Sequence, residues 1–157
     1  MTEPGELRFA LPPMGHVGVV VRDLARTVEH YSTALGLGPF RTFEANIPRG
    51  TLHGRPASFR FSVALARMGT VDLEIIEVPP GESIYREFLE SSGEGLHHLG
   101  FQVADLDAEL ARLGSRGLPG VQVIQEGEGE VKGYKFAYLD TQKVGGVVFE
   151  FIQRPAK

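Results

Sequence analysis

The first apolar segment of the chain has the pattern of a buried β-strand that leads into a helix. From His16 the residues read HVGVVVRDL, a run rich in β-branched side chains that ends at Asp23, a good N-cap for a following helix. Apolar residues then recur at steps of three and four, which predicts a helix with one face packed against a sheet and an end at Gly36. The apolar residues of this face are Leu24, Val28, Tyr31, Leu35 and Leu37.

The same arrangement returns 82 residues later in the chain. From His98 the residues read HLGFQVADL, again an apolar strand that ends at an Asp. The matched positions are His16 with His98, Gly18 with Gly100, Val21 with Val103, Asp23 with Asp105 and Leu24 with Leu106. An internal repeat of this kind predicts two copies of one structural module.

A second pair of matching segments lies near the end of each copy. VDLEIIEVPP contains Glu74, and VVFEFIQRPA contains Glu150. Each segment is apolar apart from its carboxylate and is followed by a proline, Pro79 or Pro155, which cannot donate to a sheet. We therefore expect each segment to form the last strand of its module.

Each copy has room for two further strands between its helix and its last strand. The expected strands are Arg41–Ala45 and Ser58–Ala66 in the first copy, and Val121–Gln125 and Tyr134–Leu139 in the second. Each module thus has the order strand, helix, strand, strand, strand. The predicted fold class is α+β, with two tandem βαβββ modules that form a curved mixed sheet around a metal-binding cavity.

The predicted boundaries divide one compact domain into three parts. Residues 15–79 form the first module, residues 80–96 a linker with a short helix at Glu82–Glu90, and residues 97–155 the second module. A length of 157 residues suits such an arrangement.

Composition narrows the classes of function. The net charge of −4 argues against a nucleic-acid-binding protein, and no apolar run is long enough to cross a bilayer. The first residues, MTEPGELRF, lack the layout of a signal peptide, so we expect a soluble, cytoplasmic protein. The chain has no cysteine, so any metal must be held by nitrogen and oxygen ligands.

The repeated polar residues predict a metal site. Two modules that pack with approximate two-fold symmetry bring equivalent positions together, and those positions carry His16, Glu74, His98 and Glu150. Two imidazoles and two carboxylates suit one divalent Co, Ni, Zn, Mn or Fe ion, and are too rich in nitrogen for a typical Ca or Mg site. Four protein ligands leave two neighbouring positions of an octahedral ion for a substrate.

Other histidines and acids lack this double equivalence. His30 belongs to a helix and His53 to a polar loop. His97 adjoins His98, so the two side chains are expected to point to opposite faces, and the repeat favours His98 as the ligand. Glu77 is three positions from Glu74 and is expected on the solvent side of its strand.

These motifs resemble those of the vicinal-oxygen-chelate superfamily, which includes glyoxalase I, methylmalonyl-CoA epimerase, extradiol dioxygenases and antibiotic-resistance proteins. HVGVVVRDL and the paired modules carry the general resemblance. EIIEVPPGESIYREFLESSGEGLHHLGFQVADLDA and KGYKFAYLDTQKVGGVVFEFIQ are similar to the linker helix, the His-His signature and the closing hairpin of methylmalonyl-CoA epimerase.

The resemblance implies a divalent-metal-dependent isomerase or epimerase that transfers the proton next to a substrate carbonyl. It places His16, Glu74, His98 and Glu150 at the ligand positions, and by symmetry we expect Glu74 and Glu150 also to act as catalytic acid and base. It further implies a small-molecule substrate such as an acyl-CoA and a homodimer. The candidate cations for an acyl-CoA are Arg41, Arg49, Arg55, Arg60, Lys132 and Lys135.

One departure from the epimerase family bears on the reaction. That family carries a further glutamate, proposed as a base, in the middle of its first module, whereas the matching strand here, ASFRFSVALARMG, has no acidic residue. A glyoxalase I-type lyase or isomerase acting on a glutathione or similar hydroxy-carbonyl adduct is therefore an alternative. A ring-cleaving dioxygenase fits the four ligands less well, and a drug-sequestering binding protein would not need them.

Overall fold

The structure, a computed structural model, describes residues 11–115 and 121–156. Within these ranges the chain forms eight strands, three α-helices and a short 3-10 helix at Thr141–Lys143, which confirms the predicted α+β class with two βαβββ modules. In chain order the elements are β1 (Met14–Val21), α1 (Leu24–Leu35), β2 (Arg41–Leu52), β3 (Arg55–Met68), β4 (Val71–Glu77), α2 (Ile84–Ser92), β5 (Gly95–Val103), α3 (Leu106–Ser115), β6 (Val123–Glu128), β7 (Lys135–Leu139) and β8 (Val148–Gln153). The module boundaries near residues 79 and 97 remain a prediction.

The strands form one closed, mixed sheet with the order β1-β4-β3-β2-β6-β7-β8-β5, in which β5 returns to β1. In each module the first strand runs parallel to the last, as β1 does to β4 and β5 does to β8. The modules join through the antiparallel pairs β1–β5 and β2–β6. The first and last strands of both modules therefore lie side by side, in the order β4, β1, β5, β8.

The helix starts are built in the same way in both modules. The Asp23 carboxylate accepts a hydrogen bond from the backbone N–H of Arg26 at 2.9 Å, as the sequence predicts for an N-cap. The backbone N–H of Leu24 donates to the carboxylate of Glu77, at the end of β4. Glu77 is thus half-buried over the start of α1, where its charge faces the positive end of the helix dipole, and is not a free residue on the solvent side.

In the second module Asp105 and Gln153 occupy the equivalent positions. The Asp105 carboxylate accepts from Ala108 N–H at 3.0 Å, and the Gln153 side-chain oxygen accepts from Leu106 N–H at 2.9 Å. The repeat therefore extends to contacts between the last strand and the helix, which fix each helix against its own module.

The hairpin β2–β3 is longer than the sequence suggested. Arg41–Ala45 and Ser58–Ala66 are only parts of strands that continue to Leu52 and from Arg55. Pro48 and Gly50 lie at an irregularity in the β2–β3 register, which a sheet tolerates. The turn consists of His53 and Gly54, which both have positive φ, at 49° and 76°, as a tight hairpin requires.

Smaller differences concern element ends and one helix residue. The linker helix begins at Ile84, because the Ser83 side chain caps it through Arg86 N–H, and not at Glu82. Strand β6 lies slightly later than predicted, at Val123–Glu128. Leu35 does not belong to the buried face of α1: its side chain is 71% exposed.

Helix α2 covers one end of the interior of the closed sheet. Its first N–H, that of Ile84, donates to the buried Gln125 side chain on β6, and the carbonyl of Leu89 accepts from Arg22, which follows β1. Strands β6 and β1 are opposite one another in the ring, so the helix crosses the opening. The apolar core inside the sheet buries Ile84, Tyr85 and Leu89 of this helix. Because α2 covers this end, the other end of the closed sheet is the route to the interior.

Candidate metal centre

The structure brings His16, Glu74, His98 and Glu150 together on the inner face of the sheet. They come from β1, β4, β5 and β8, the four adjacent strands that include the junction between the modules. His16, His98 and Glu150 are all buried. The sequence repeat therefore corresponds to a cluster in space.

The donor atoms are close enough to share one ion. His16 Nε2 lies 2.6 Å from Glu150 Oε2 and 3.6 Å from Glu74 Oε2. His98 Nε2 lies 3.2 Å from Glu74 Oε2 and 3.3 Å from Glu150 Oε2. Ligands 2.0–2.2 Å from one ion are roughly 3 Å apart at neighbouring positions. The donor set therefore fits a divalent metal of the nitrogen- and oxygen-binding type; that these residues ligate one remains a prediction.

Two glycines make room for the imidazoles. Gly18 on β1 pairs with His98, and Gly100 on β5 pairs with His16. A Cβ atom at Gly18 would lie 1.9 Å from Cε1 of His98, and one at Gly100 would lie 1.9 Å from Cε1 of His16. Each histidine ring therefore lies directly over the glycine of the other module. This explains why the repeated motif is His-X-Gly and not histidine alone.

The electrostatics of the cluster also suit a cation. Burial lowers the pKa of His98 to about 4. Burial acts in the same direction on His16, but the nearby carboxylates of Glu150 and Glu74 outweigh it and raise the pKa of His16 to about 9. Burial raises the pKa of Glu74. Carboxylates buried beside imidazoles need a proton or a metal ion to balance their charge.

The remaining histidines lie away from the four donor atoms. His30 is exposed on α1, and His53 lies at the β2–β3 turn, where its Nε2 is 2.9 Å from a Glu87 carboxylate oxygen. His97 is buried against Tyr85 and Phe88, and its Nδ1 is 3.0 Å from Nδ1 of His98. The expectation that the two side chains point to opposite faces is wrong, because an irregularity in the β1–β5 register leaves His97 unpaired and turns its ring towards that of His98. His97 thus contacts the ring of His98 without joining the cluster.

A cavity of about 360 Å³ opens at the end of the sheet opposite α2 and reaches the cluster at Glu74. The two carboxylates differ here: Glu74 is 14% exposed and lines the cavity, whereas Glu150 is 3% exposed and does not belong to the wall formed by the described residues. The apolar part of the wall consists of Phe43, Ala45, Ile47, Leu65, Val131, Ile152 and Pro155. The cavity can therefore bring a small, partly apolar substrate to Glu74.

Two further wall residues escaped the sequence-based prediction. Tyr134 precedes β7 and Arg154 follows β8, and both line the cavity. Neither has a counterpart of the same type in the first module, so the repeat could not reveal them. For Arg154 the sequence contained one indication, since this residue follows the candidate ligand Glu150 by only four positions.

The predicted cations are dispersed. Arg41 lines the cavity, and Lys132 lines an adjoining groove of about 1140 Å³ that also contains Arg154. Arg49 and Lys135 are paired with acidic residues, at 3.1 Å from Glu128 and 2.8 Å from Asp107 respectively. Arg55 and Arg60 lie outside both walls.

Comparison with known proteins identifies the family. Residues 15–138 match the family described as the Glyoxalase/Bleomycin resistance protein/Dioxygenase superfamily. This fold, with the four repeated polar residues at the junction of its modules, belongs to that superfamily, and the chain is a member of it. The match ends before Glu150, which the internal repeat identifies independently.

The relatives include an enzyme and a protein of undefined activity. The chain is 30% identical over 149 residues to a 2-epi-5-epi-valiolone epimerase from Actinomyces sp, covering 90% of this chain and 79% of the relative. It is 28% identical over 141 residues to the uncharacterized protein YqjC of Bacillus subtilis (strain 168), covering 89% and 91% of the two chains.

Among solved structures, the fold is similar to that of methylmalonyl-CoA epimerase from Mycobacterium tuberculosis. The TM-score is 0.66 at 23% identity, and the match covers 98% of this chain and 95% of the other. At this identity the likeness concerns the fold. Within the described residues, none of the helices combines the length and apolar character needed to cross a membrane.

Proposed function

We propose that the protein is a divalent-metal-dependent epimerase that transfers the proton next to a substrate carbonyl. The observation that carries this proposal is the buried His16, Glu74, His98 and Glu150 cluster, which a cavity reaches at only one of its two carboxylates. A relative that is an epimerase by name and an epimerase with the same fold support it. The ion would be Co, Ni, Zn, Mn or Fe(II).

His16, Glu74, His98 and Glu150 would hold the ion. When bound, the ion would act as a Lewis acid that draws electron density from the substrate carbonyl and makes the adjacent C–H acidic. The chain must then supply a group that accepts the proton and walls that exclude bulk water.

Glu74 is the better placed of the two predicted catalytic carboxylates. It lines the cavity, and burial raises its pKa toward values at which a carboxylate is a more effective base. Glu150 is within 2.6 Å of His16 and is almost fully buried. We therefore assign proton transfer to Glu74 and the firmer ligand role to Glu150.

The groove beside the cavity would accommodate an extended acyl-CoA. It shares Ile152, Arg154 and Pro155 with the cavity and adds Lys132 and Arg67 to its wall. Arg67 also forms an ion pair with Asp72, in which its Nε lies 3.3 Å from Oδ1 of Asp72. In this arrangement the acyl group would lie in the cavity, and the phosphates of CoA would lie along Lys132 and Arg154.

The inner face of β3 favours a second candidate, a glyoxalase I-type lyase or isomerase. Its inward residues Phe59, Phe61 and Val63 are buried and apolar, at the strand where methylmalonyl-CoA epimerases carry an additional glutamate. A glyoxalase-type reaction of a glutathione adduct needs the same four ligands without that glutamate. The two candidates differ in substrate and share the removal of a proton next to a carbonyl.

The test is hydrogen exchange in D2O with cobalt-loaded protein. Methylmalonyl-CoA, 2-epi-5-epi-valiolone and the glutathione adduct of methylglyoxal are supplied separately, and the proton next to the carbonyl is followed by NMR. We expect loss of that signal with one of the first two compounds, abolished by a chelator. Exchange with the glutathione adduct alone would replace the epimerase by the glyoxalase-type reaction.

Matched histidine variants locate the metal. His16→Ala should release cobalt during dialysis and lose exchange, whereas His30→Ala, which removes an exposed histidine from α1, should retain both. Cobalt is measured by elemental analysis and by its visible absorption. Failure of the wild-type protein to retain any divalent metal would overturn the proposal and favour a non-catalytic binding protein.

A further inference from the structure

Three tyrosines point into the interior or line its cavity, and they differ in their hydrogen bonding. The hydroxyls of Tyr85 and Tyr138 are hydrogen-bonded to each other at 2.5 Å and are buried at the end covered by α2. Tyr134 lines the open cavity together with Glu74. Among residues 11–115 and 121–156 no group forms a hydrogen bond with its hydroxyl. Tyr134 is therefore the tyrosine that can present its O–H to a molecule in the cavity.

Tyr134 and Glu74 lie on opposite walls. Glu74 is in β4, and Tyr134 immediately precedes β7. In the ring β1-β4-β3-β2-β6-β7-β8-β5, three strands separate β4 from β7 in either direction. A flat substrate between these walls would present one face to the carboxylate and the other to the phenol.

The tyrosine ring is held in place by the backbone around it. A Cβ atom at Gly129 would lie 2.8 Å from Cδ1 of Tyr134, so the ring packs directly on that glycine. The backbone N–H of Gly129 also donates to the Tyr134 carbonyl at 3.1 Å, and the ring of Phe136 lies 6.4 Å from that of Tyr134 between centroids. The hydroxyl is thus carried on a fixed ring.

The surroundings keep the phenol protonated. Burial, together with the negative charges of Glu150 and Glu74, raises the pKa of Tyr134, and only Arg154 acts in the opposite direction. At neutral pH Tyr134 is therefore a hydrogen-bond and proton donor. The same Arg154 lies in the cavity wall, where its positive charge would stabilise a phenolate formed transiently.

We propose that Tyr134 is the second catalytic residue of the epimerisation and acts on the substrate face opposite Glu74. This assignment rests on the proposed function. The Glu74 carboxylate removes the proton next to the carbonyl, and the electron pair of the broken C–H bond moves into the enolate. The Tyr134 O–H bond then breaks and its proton forms the new C–H bond on the other face. The proton held by Glu74 returns to the phenolate through solvent at the open end, and the reverse reaction exchanges the two roles.

Tyr134→Phe tests the assignment by separating exchange from inversion. The cobalt-loaded variant is given each epimer of the exchanging substrate in D2O, and both configuration and deuterium content are followed by NMR and a chiral assay. We expect inversion to fall about 100-fold or more, as for loss of one acid–base group. The epimer whose proton faces Glu74 should still exchange with retention of configuration.

Tyr31→Phe is the matched control, because Tyr31 lies on α1 outside the cavity. Both variants should keep the cobalt content and thermal midpoint of the wild-type protein. Inversion by Tyr134→Phe within twofold of wild type would overturn the assignment, as would loss of exchange for both epimers with the cobalt content unchanged. Absence of exchange with every substrate in the wild-type protein would instead overturn the proposed function, and this assignment with it.

Discussion

The two βαβββ modules are alike where they meet and different where the cavity opens. At the junction, His16 and Gly18 of the first module correspond to His98 and Gly100 of the second, and each histidine occupies the space left by the other module's glycine. The carboxylates Glu74 and Glu150 follow the same symmetry. The shared part of the modules thus builds the candidate metal centre.

Away from the junction the modules diverge in length and in exposed chemistry. The hairpin β2–β3 of the first module has strands of 12 and 14 residues, whereas β6 and β7 have 6 and 5. The long hairpin contributes part of the apolar wall of the cavity, and the second module contributes the rest of that wall together with Tyr134 and Arg154. Glu74 consequently faces the cavity and Glu150 does not. The symmetric part of the modules therefore supplies the candidate ligands, and the asymmetric part exposes one side of the candidate metal centre to the cavity.

The difference between the two carboxylates is tested most directly by removing the charge of each in turn. Glu74→Gln should retain cobalt and slow hydrogen exchange about 1000-fold, because it removes the proposed base, which lines the cavity. Glu150→Gln should instead weaken cobalt binding, because it changes the carboxylate closest to His16. Cobalt content and NMR exchange rates are measured on both variants. Equal behaviour of the two variants would contradict the division of roles.

Substitution of the two glycines tests the symmetric part. Gly18→Ala and Gly100→Ala each place a methyl group 1.9 Å from the facing imidazole, so that ring must move. We expect each variant to bind cobalt about 100-fold more weakly. This is the upper end of the loss in metal affinity that is typical when residues supporting a metal ligand are changed. Dissociation constants are measured by competition with a chromophoric chelator.

Gly114→Ala is the control for the glycine variants. Gly114 lies in α3, and a Cβ atom there would meet none of the residues that the structure describes within 4 Å. Cobalt affinity should be unchanged, and stability should rise by about 0.5–1 kcal/mol because alanine favours the helix. Wild-type cobalt affinity in Gly18→Ala or Gly100→Ala would show that the facing imidazole is not a ligand.

The smallest effect that we expect is on stability, and it concerns the difference between the starts of α1 and α3. Glu77 places a negative charge at the start of α1, whereas the equivalent Gln153 is neutral. Glu77→Gln should therefore lower the free energy of unfolding by about 0.3–1 kcal/mol, through loss of the charge–dipole interaction. Urea unfolding at low and at high salt provides the measurement. A loss that does not shrink in salt would indicate a hydrogen-bond effect and not an electrostatic one.

The sequence by itself was sufficient for the module and its polar residues. The strand HVGVVV, the Asp23 cap and the later return of the same pattern are local features, so their periodicity predicts two βαβββ copies. The ligand candidates could be chosen because the repeat distinguishes His98 from the neighbouring His97. Turn positions and strand ends were harder to predict, since β2 continues past Pro48 and Gly50 only through its pairing with β3.

Only the tertiary structure decided which of the equivalent residues faces the cavity. Closure of the sheet depends on the pairing of β2 with β6, which no local pattern contains. That closure, together with α2 across one end, places Glu74 in the wall of the cavity while Glu150 stays buried. It also brings Tyr134 opposite Glu74, although the two are far apart in the chain. The repeat thus identifies the candidate ligands, whereas long-range strand pairing decides which of them lines the cavity and which residue lies opposite it.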